Sequence, residues 1–290
     1  MYKFAKILRE EAQLRALSEV SYRTYFYRLR SFYNYFEKPL PEISLAEIRK
    51  YFLYLINVKK VGREAVRNTR YAIRFYYVNC LGYVDYNLDF VNIKVNRKIP
   101  VIISRAEVRL LLSKVLVDDY RLCLELIYAC GLRIGEAVRI KLCDIDGERK
   151  ILTIRNGKGA KDRTVPIPET MLLKLREYWK THQNPVLLFP KRTSRILNFD
   201  RSKTIDSIAT RTIQGAMKLA LKASGINKRA TPHTLRHCYA THLLEAGAHI
   251  KAISKFLGHR SLHPTMIYLH LTNNSEIHSY NVINKIMSDL

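Results

Sequence analysis

The stretch KILTIRNGKGAKDRTVPIP, residues 150–168, holds two short β-prone runs in a chain whose other marked patterns are helical. The runs Ile151 to Arg155 and Arg163 to Ile167 flank glycine- and lysine-rich residues that favour a turn. We expect a β-hairpin with Lys158 at its tip. Because a lysine at such a tip is usually only solvated, the hairpin alone indicates a small β element and no chemistry.

The part of the chain before residue 92 is predicted to be all helical. In LSEVSYRTYFYRLRSFYNYF, residues 17–36, aromatic side chains recur every three or four positions, which is the spacing of a buried helix face. Ser44 with Glu47 three residues later has the pattern of a capping box. Around 92–100 the periodicity lapses. We therefore predict two domains, an all-α domain at 1–91 and an α+β domain at 101–290, with a linker at 92–100.

Composition indicates a polyanionic partner. Fifty Lys and Arg against twenty-five Asp and Glu give a net charge of +25, and the excess occurs on both sides of residue 99. A basic surface attracts nucleic acid through steering and counterion release. A soluble basic protein or an anionic-membrane binder are the alternatives, but no lysine-rich amphipathic anchor is visible. No apolar run approaches the length of a membrane span, so we expect a cytoplasmic protein.

Two other patterns exclude or suggest sites. The five cysteines are scattered without a C-x-x-C pair, which argues against a disulfide framework and a zinc ribbon. Arginines recur at three- or four-residue spacing in REAVRNTRYAIRF, residues 63–75, and form one stripe on a helix. The stripe is either a solvated face or a phosphate-contacting surface. We favour DNA contact, since Glu64 is the only acid within the stretch. The stripe comprises Arg63, Arg67, Arg70 and Arg74.

The stretch TPHTLRHCYATHLLEAG, residues 231–247, predicts a helix with Thr231 as N-cap, proline at the first helical position and a closing glycine. His233 and Arg236 are three residues apart in its first turn, where an anion is favoured. His233 and His237 also have metal-ligand spacing. A zincin helix, however, would need glutamate where this chain has Thr234, so we expect no metal.

Four ordered boxes now stand in the sequence: GLRIGE at 131–136, GKGAKDRTVPI at 157–167, HTLRH at 233–237 and LGHRSLHPTMIY at 257–268. Together they resemble the tyrosine recombinase and integrase family over nearly the whole chain. The resemblance implies a SAM-like core-binding domain at the N-terminus and a catalytic domain after it, forming a clamp around double-stranded DNA. The implied catalytic residues are Arg133, Lys158, His233, Arg236, His259 and Tyr268, with Glu136 in support.

The chemistry of this set suits phosphoryl transfer. Two forked, permanently charged guanidinium groups, those of Arg133 and Arg236, bind nonbridging oxygens as negative charge develops. A tyrosine hydroxyl needs a base, for which His233 is the candidate, and Lys158 is to protonate the leaving 5′ oxygen. The resemblance assigns the nucleophile to Tyr268 and a phosphate hydrogen bond to His259.

The resemblance further implies a site-specific DNA recombinase that acts through a 3′-phosphotyrosyl intermediate and a Holliday junction, with no cofactor, metal or ATP. A homo-tetramer is the implied synaptic assembly, and accessory proteins stay unspecified. A type IB topoisomerase-like enzyme and a noncatalytic DNA-binding protein remain as alternatives.

The stretch NNSEIHSYNVINKIMSDL, residues 273–290, carries apolar residues at helical spacing. Such a helix either folds onto its own domain or docks on a neighbouring protomer. The resemblance favours docking on a neighbour, which would couple cleavage within a tetramer.

Overall fold

The structure is a computed structural model that describes residues 2–84, 86–92, 99–155, 162–192 and 200–269. The chain divides into two compact units, residues 1–98 and 99–290. Three sequence predictions lie outside the described residues: the hairpin tip with Lys158, most of the linker at 92–100 and the C-terminal helix at 273–290.

The N-terminal unit is helical, as predicted. Its helices are α1 (Lys3–Leu14), α2 (Glu19–Phe36), α3 (Leu45–Leu53) and α4 (Arg63–Phe75). The last two continue into π-helical turns at Tyr54–Val58 and Tyr76–Cys80. The predicted capping box is present at the start of α3: the Ser44 hydroxyl accepts from the Glu47 backbone N–H, and the Glu47 carboxylate accepts from the Ser44 N–H.

The aromatic periodicity of α2 produces the core of this unit. Leu29 and Phe32 are fully buried. The flanking members of the pattern are partly buried against the same cluster: Tyr22, Tyr25, Phe26, Tyr33 and Phe36. Helix α2 packs mainly on α4, so the apolar faces of these two helices hold the unit together.

The C-terminal unit contains eight α-helices, a 3-10 helix at Leu142–Asp144 and three strands within its described residues. The helices are α5 (Arg105–Ser113), α6 (Asp118–Cys130), α7 (Ile134–Ala137), α8 (Glu169–Lys180), α9 (Thr210–Ser224), α10 (Pro232–Glu245), α11 (Ile250–Leu257) and α12 (His263–Met266). The strands are β1 (Ile145–Asp146), β2 (Ile151–Ile154) and β3 (Arg163–Pro166). Mainly helical architecture with a small antiparallel sheet is the fold class expected from the sequence.

The sheet confirms the two strands of the predicted hairpin. β2 and β3 pair antiparallel, with Ile151 opposite Pro166 and Ile154 opposite Arg163. β1 pairs with the other edge of β2 and was not predicted. It has only two residues, too few to show an alternation in the sequence.

Helices α6 and α10 form the centre of the second unit. Helix α6 packs against α10, α8 and α9, and Leu124, Leu126 and Ile127 are inaccessible to solvent. Helix α10 begins as predicted, with Thr231 as N-cap and Pro232 at the first helical position. Most of its residues are buried, the guanidinium of Arg236 among them. Helix α10 therefore places a charged group inside the protein.

Two compositional expectations concern the described residues. No helix among them is long and apolar enough to cross a membrane. All five cysteines are free thiols: Cys123, Cys130 and Cys238 are buried, Cys80 is half-buried and Cys143 is exposed.

Two helix-ending glycines allow a matched test of packing. Gly131 ends α6 at φ 61° and Gly225 ends α9 at φ 70°. A Cβ on Gly131 would lie 2.4 Å from Cδ1 of Tyr239, whereas a Cβ on Gly225 would meet nothing within 4 Å. We expect Gly225→Ala to cost about 1 kcal/mol from backbone strain, and Gly131→Ala about 3 kcal/mol because overpacking adds to that strain.

The measurement is urea unfolding followed by the fluorescence of Trp179, the single tryptophan, which lies in the same unit as both glycines. Equal losses for the two variants would contradict the contact between Gly131 and Tyr239.

Candidate active site

The carboxylate of Glu136 lies at the centre of a cluster of three arginines. Its side chain is 8% exposed. Oε1 accepts from Nη1 of Arg133 at 2.8 Å, and Oε2 accepts from the backbone N–H of Arg133 at 2.8 Å. This geometry arises because Arg133 is the N-cap of the short helix α7 and Glu136 is its third residue. The first predicted arginine is therefore held in place by the predicted supporting residue.

Two further arginines approach the same carboxylate. Arg163 of β3 donates from Nη1 and Nη2 at 2.9 and 2.7 Å, a bidentate pair. Nη1 of Arg236 lies 3.9 Å from Oε2. Burial by itself raises the pKa of Glu136, but hydrogen bonds from Arg163 and from Arg133 outweigh it and lower the pKa to about 2. The cluster therefore carries one negative and three positive charges at neutral pH.

Arg236 is held by the ends of two helices. Its residue is 2% exposed. Nη1 donates to the carbonyl of Gly131 at 2.6 Å, and Nη2 donates to the carbonyl of Leu257. These carbonyls lie at the C-termini of α6 and α11, where the helix dipole favours a cation. Burial and the nearby Arg133 lower the pKa of Arg236 to about 9, so the group stays charged at neutral pH.

The hydroxyl of Tyr268 contacts a histidine that was not in the predicted set. Tyr268 follows α12, is 2% exposed, and its Oη lies 2.7 Å from Nδ1 of His237. Burial, and then the proximity of His233, Arg236 and His259, lower the pKa of His237 to about 4. The imidazole is therefore neutral at pH 7, and in the tautomer that carries its proton on Nε2 the Nδ1 atom accepts the hydrogen bond from the tyrosine hydroxyl.

The other two predicted histidines flank this pair. The ring of His233 packs edge-on against the ring of His237, with centroids 4.6 Å apart. Nδ1 of His259 lies 2.8 Å from Oγ1 of Thr265, three residues before Tyr268. Burial, then Arg236 and Arg133, lower the pKa of His259 to about 4. Its neutral ring leaves the positive charge of the site to the arginines.

The structure thus brings together two groups of predicted residues. Arg133 and Arg236 lie around the carboxylate of Glu136. His233 contacts the ring of His237, which in turn contacts Tyr268. Lys158 lies outside the described residues. Arg163 and His237 were missed, although both stand within the quoted boxes. Their roles depend on contacts 27 and 31 residues away along the chain, which no local pattern indicates.

The arginine stripe of α4 differs from its sequence interpretation. Arg63 and Arg74 are exposed. Arg67 lies 3.8 Å from Glu64, and Nη2 of Arg70 lies 2.5 Å from Asp89. Glu64 is the only acid within the stretch, but folding brings Asp89, which follows the helix, to Arg70. DNA contact by the stripe stays a prediction, now argued most directly for the two exposed arginines.

Within the described ranges, no group of three or more His, Cys, Asp or Glu side chains has a geometry that could hold a metal ion.

The low pKa of Glu136 predicts a pH-dependent contribution to stability. A carboxyl whose pKa is lower in the folded than in the unfolded state stabilises the fold above its unfolded pKa, near 4.5, and loses this effect as the pH falls towards 2. We expect Glu136→Gln to lower the free energy of unfolding by about 3 kcal/mol at pH 7, because three arginines lose their anion. The loss should shrink steadily between pH 4.5 and 2.

Urea unfolding at a series of pH values, followed by Trp179 fluorescence, measures this difference. Glu177→Gln is the matched control, since Glu177 is 71% exposed and pairs with the exposed Lys180. A Glu136→Gln loss that did not change with pH would refute the proposed ionisation.

Comparison with known proteins places this geometry in a family. The model of the phage integrase family matches residues 96–275, and that of the phage integrase N-terminal SAM-like domain matches residues 4–84. The protein y4qK of Sinorhizobium fredii, named as an integrase/recombinase, is 35% identical over 271 residues, which cover 91% of this chain and 83% of the relative. Tyrosine recombinase XerA of Pyrococcus horikoshii is 31% identical, with 90% of this chain and 86% of the relative covered.

A solved structure has the same fold. The site-specific recombinase XerH bound to its palindromic difH substrate superposes with a TM-score of 0.68 at 20% identity, over 97% of this chain and 85% of that one. The matched domains span both units and include all four boxes of the site. The chain therefore belongs to the phage integrase family of tyrosine recombinases.

Proposed function

We propose that this site-specific DNA recombinase breaks a DNA strand by attack of the Tyr268 hydroxyl on a phosphodiester. The Tyr268 oxygen forms a bond to phosphorus, the bond from phosphorus to the 5′ oxygen breaks, and a 3′-phosphotyrosyl link remains. Attack by a second 5′ hydroxyl reverses the step and, on two sites, passes through a Holliday junction. The observation that carries this proposal is the buried tyrosine hydroxyl on a neutral imidazole, in a site with an excess of arginine charge.

The arginine cluster suits the charge of the reaction. Three guanidinium groups against one carboxylate leave a net charge of +2. A phosphodiester carries one negative charge, and its pentavalent transition state carries more. Preorganised cations in a poorly solvated site therefore stabilise the transition state more than the bound substrate. Arg133 and Arg236 are the proposed ligands of the nonbridging oxygens.

The tyrosine proton needs an acceptor. The ordinary pKa of a tyrosine is about 10, and burial raises the pKa of Tyr268 further, against a lowering by Arg236. The sequence assigned the base to His233. Since the contact with Oη is made by His237, we propose that His237 takes the proton and that His233 supports the ring of His237.

Two residues complete the proposed chemistry. His259, oriented through Thr265, would hydrogen-bond the phosphate. Lys158, on the hairpin between β2 and β3, would protonate the leaving 5′ oxygen. Since the phosphotyrosyl ester conserves the energy of the broken bond, the cycle needs neither ATP nor a metal.

The partner is double-stranded DNA. The net charge of +25 supports this choice, as do the related recombinases solved with DNA substrates. We propose that the two domains close as a clamp on the duplex, that Arg63 and Arg74 contact phosphates, and that four protomers assemble on two sites. With DNA as its substrate, the expected location is the cytoplasm.

The role of Tyr268 as nucleophile can be tested by removing its hydroxyl. Tyr268→Phe removes one oxygen, so it should bind DNA within about threefold of the wild type yet form no covalent adduct on a nicked suicide duplex. Adducts are counted by denaturing gel, with EDTA present because the proposal uses no metal. An adduct formed by the variant would place the nucleophile elsewhere, and absence of any wild-type adduct would favour a noncatalytic DNA-binding protein.

The roles of His233 and His237 can be distinguished by replacing each of them with alanine. His237→Ala should slow single-turnover adduct formation about 100-fold or more, because a general base contributes about 100- to 10,000-fold. His233→Ala, which leaves the base in place, should slow it less. Rates are measured at saturating enzyme between pH 6 and 8, where the low pKa of His237 leaves the base deprotonated throughout. The reverse order of effects would return the role of base to His233.

A further inference from the structure

Arg163 has every nitrogen of its guanidinium engaged inside the protein. Nε donates to the carbonyl of Phe256 at 2.8 Å, while Nη1 and Nη2 donate to the two oxygens of Glu136. Its side chain is 8% exposed. Because each of its three nitrogens donates to an internal acceptor and only 8% of the side chain is exposed, Arg163 is not placed to bind a phosphate. A buried guanidinium whose three nitrogens all donate to internal acceptors fixes the groups that it contacts.

One of these groups is the turn that presents His259. Phe256 lies in the last turn of α11, and Gly258 ends that helix at φ 65°. A Cβ on Gly258 would lie only 2.7 Å from Cδ of Arg163, so the turn sits directly on the arginine stem. The residue that follows this turn is His259. Arg163 therefore supports the turn that precedes His259.

The other group is the carboxylate that orients Arg133. The Glu136 carboxylate accepts hydrogen bonds from the side chain and the backbone N–H of Arg133. Both of its oxygens also accept from Arg163. Arg163 is also the first residue of β3, opposite Ile154 of β2, at the base of the hairpin that bears Lys158. A single guanidinium thus connects three segments that are distant in sequence.

We propose that Arg163 is a positioning residue for strand cleavage, which aligns Arg133 and the His259 turn with each other and with the base of the hairpin. The inference rests on the proposed function, since it concerns the same reaction. Arg163 acts through Arg133 and does not touch the DNA. Displacement of a catalytic group by about 1 Å costs on the order of 100-fold in rate, so its loss should be visible in the cleavage step.

The test compares three variants in single-turnover cleavage of a nicked suicide duplex at saturating enzyme. Arg163→Met removes all donors, and Arg163→Lys keeps the charge without the bidentate geometry. Arg155→Met is the matched control, because Arg155 follows β2 in the same hairpin, is 57% exposed and pairs with Asp144, outside the arginine cluster. DNA affinity and thermal melting are measured for each variant. The rate constant, and not the amplitude, is compared, since misfolding lowers the active fraction alone.

A second substrate separates positioning from general loss of structure. It carries a methylphosphonate at the cleaved position, where a neutral methyl replaces one charged nonbridging oxygen. On the normal phosphodiester we expect Arg163→Met to be slower than wild type by about 100-fold, Arg163→Lys by at least about tenfold, and Arg155→Met by less than about threefold. On the methylphosphonate the Arg163→Met deficit should shrink about tenfold, because less charge depends on the alignment of Arg133.

Cleavage by Arg163→Met at a rate within about threefold of wild type would overturn the inference. So would a deficit that is the same on both substrates, which would indicate a purely structural role. If Arg163→Met does not fold, Arg163→Lys carries the same comparison. If the wild type formed an adduct with neither substrate, the proposed function would be refuted instead.

Discussion

The rest of the site depends on the interaction of the buried carboxylate of Glu136 with three arginines. Guanidinium groups so close together repel one another, and little water is present to screen them. Glu136 offsets part of this repulsion and also fixes direction, since its two oxygens accept from Arg133 and Arg163 at defined angles. One carboxylate leaves the site with a net charge of +2, and a second would have halved the net charge that attracts a phosphate.

The rest of the electrostatic balance comes from the backbone. Carbonyls at the ends of α6 and α11 accept from Arg236, and the last turn of α11 also accepts from Arg163. Helix C-termini provide partial negative charge without a titratable group, so they hold cations and keep the net charge high. Both helices end in a left-handed glycine: Gly131 lies close to Tyr239, and Gly258 lies close to Arg163. The helix ends, the glycines and the arginines form one arrangement.

Burial, assisted by the same positive field, determines the state of the histidines. Burial and neighbouring arginines lower the pKa values of His237 and His259 to about 4, so both rings are neutral at physiological pH. A neutral ring beside Tyr268 accepts a proton, whereas a charged one could not. The permanent cations thus serve phosphate binding, and the imidazoles serve proton transfer and hydrogen bonding.

The sequence by itself determined the elements that have local signals. Helix starts at Ser44 and Thr231 follow from capping chemistry, the strands β2 and β3 follow from β-prone runs around a turn, and the order of the four boxes indicated the family. Only the tertiary structure decided which side chains meet: His237 with Tyr268, Arg163 with Glu136, and Arg70 with Asp89. Each of these contacts joins residues 19 to 31 positions apart, beyond the few residues over which a periodic pattern carries information. The burial of Arg236 has the same origin, because its carbonyl acceptors lie 105 and 21 residues away and are brought to it by helix packing.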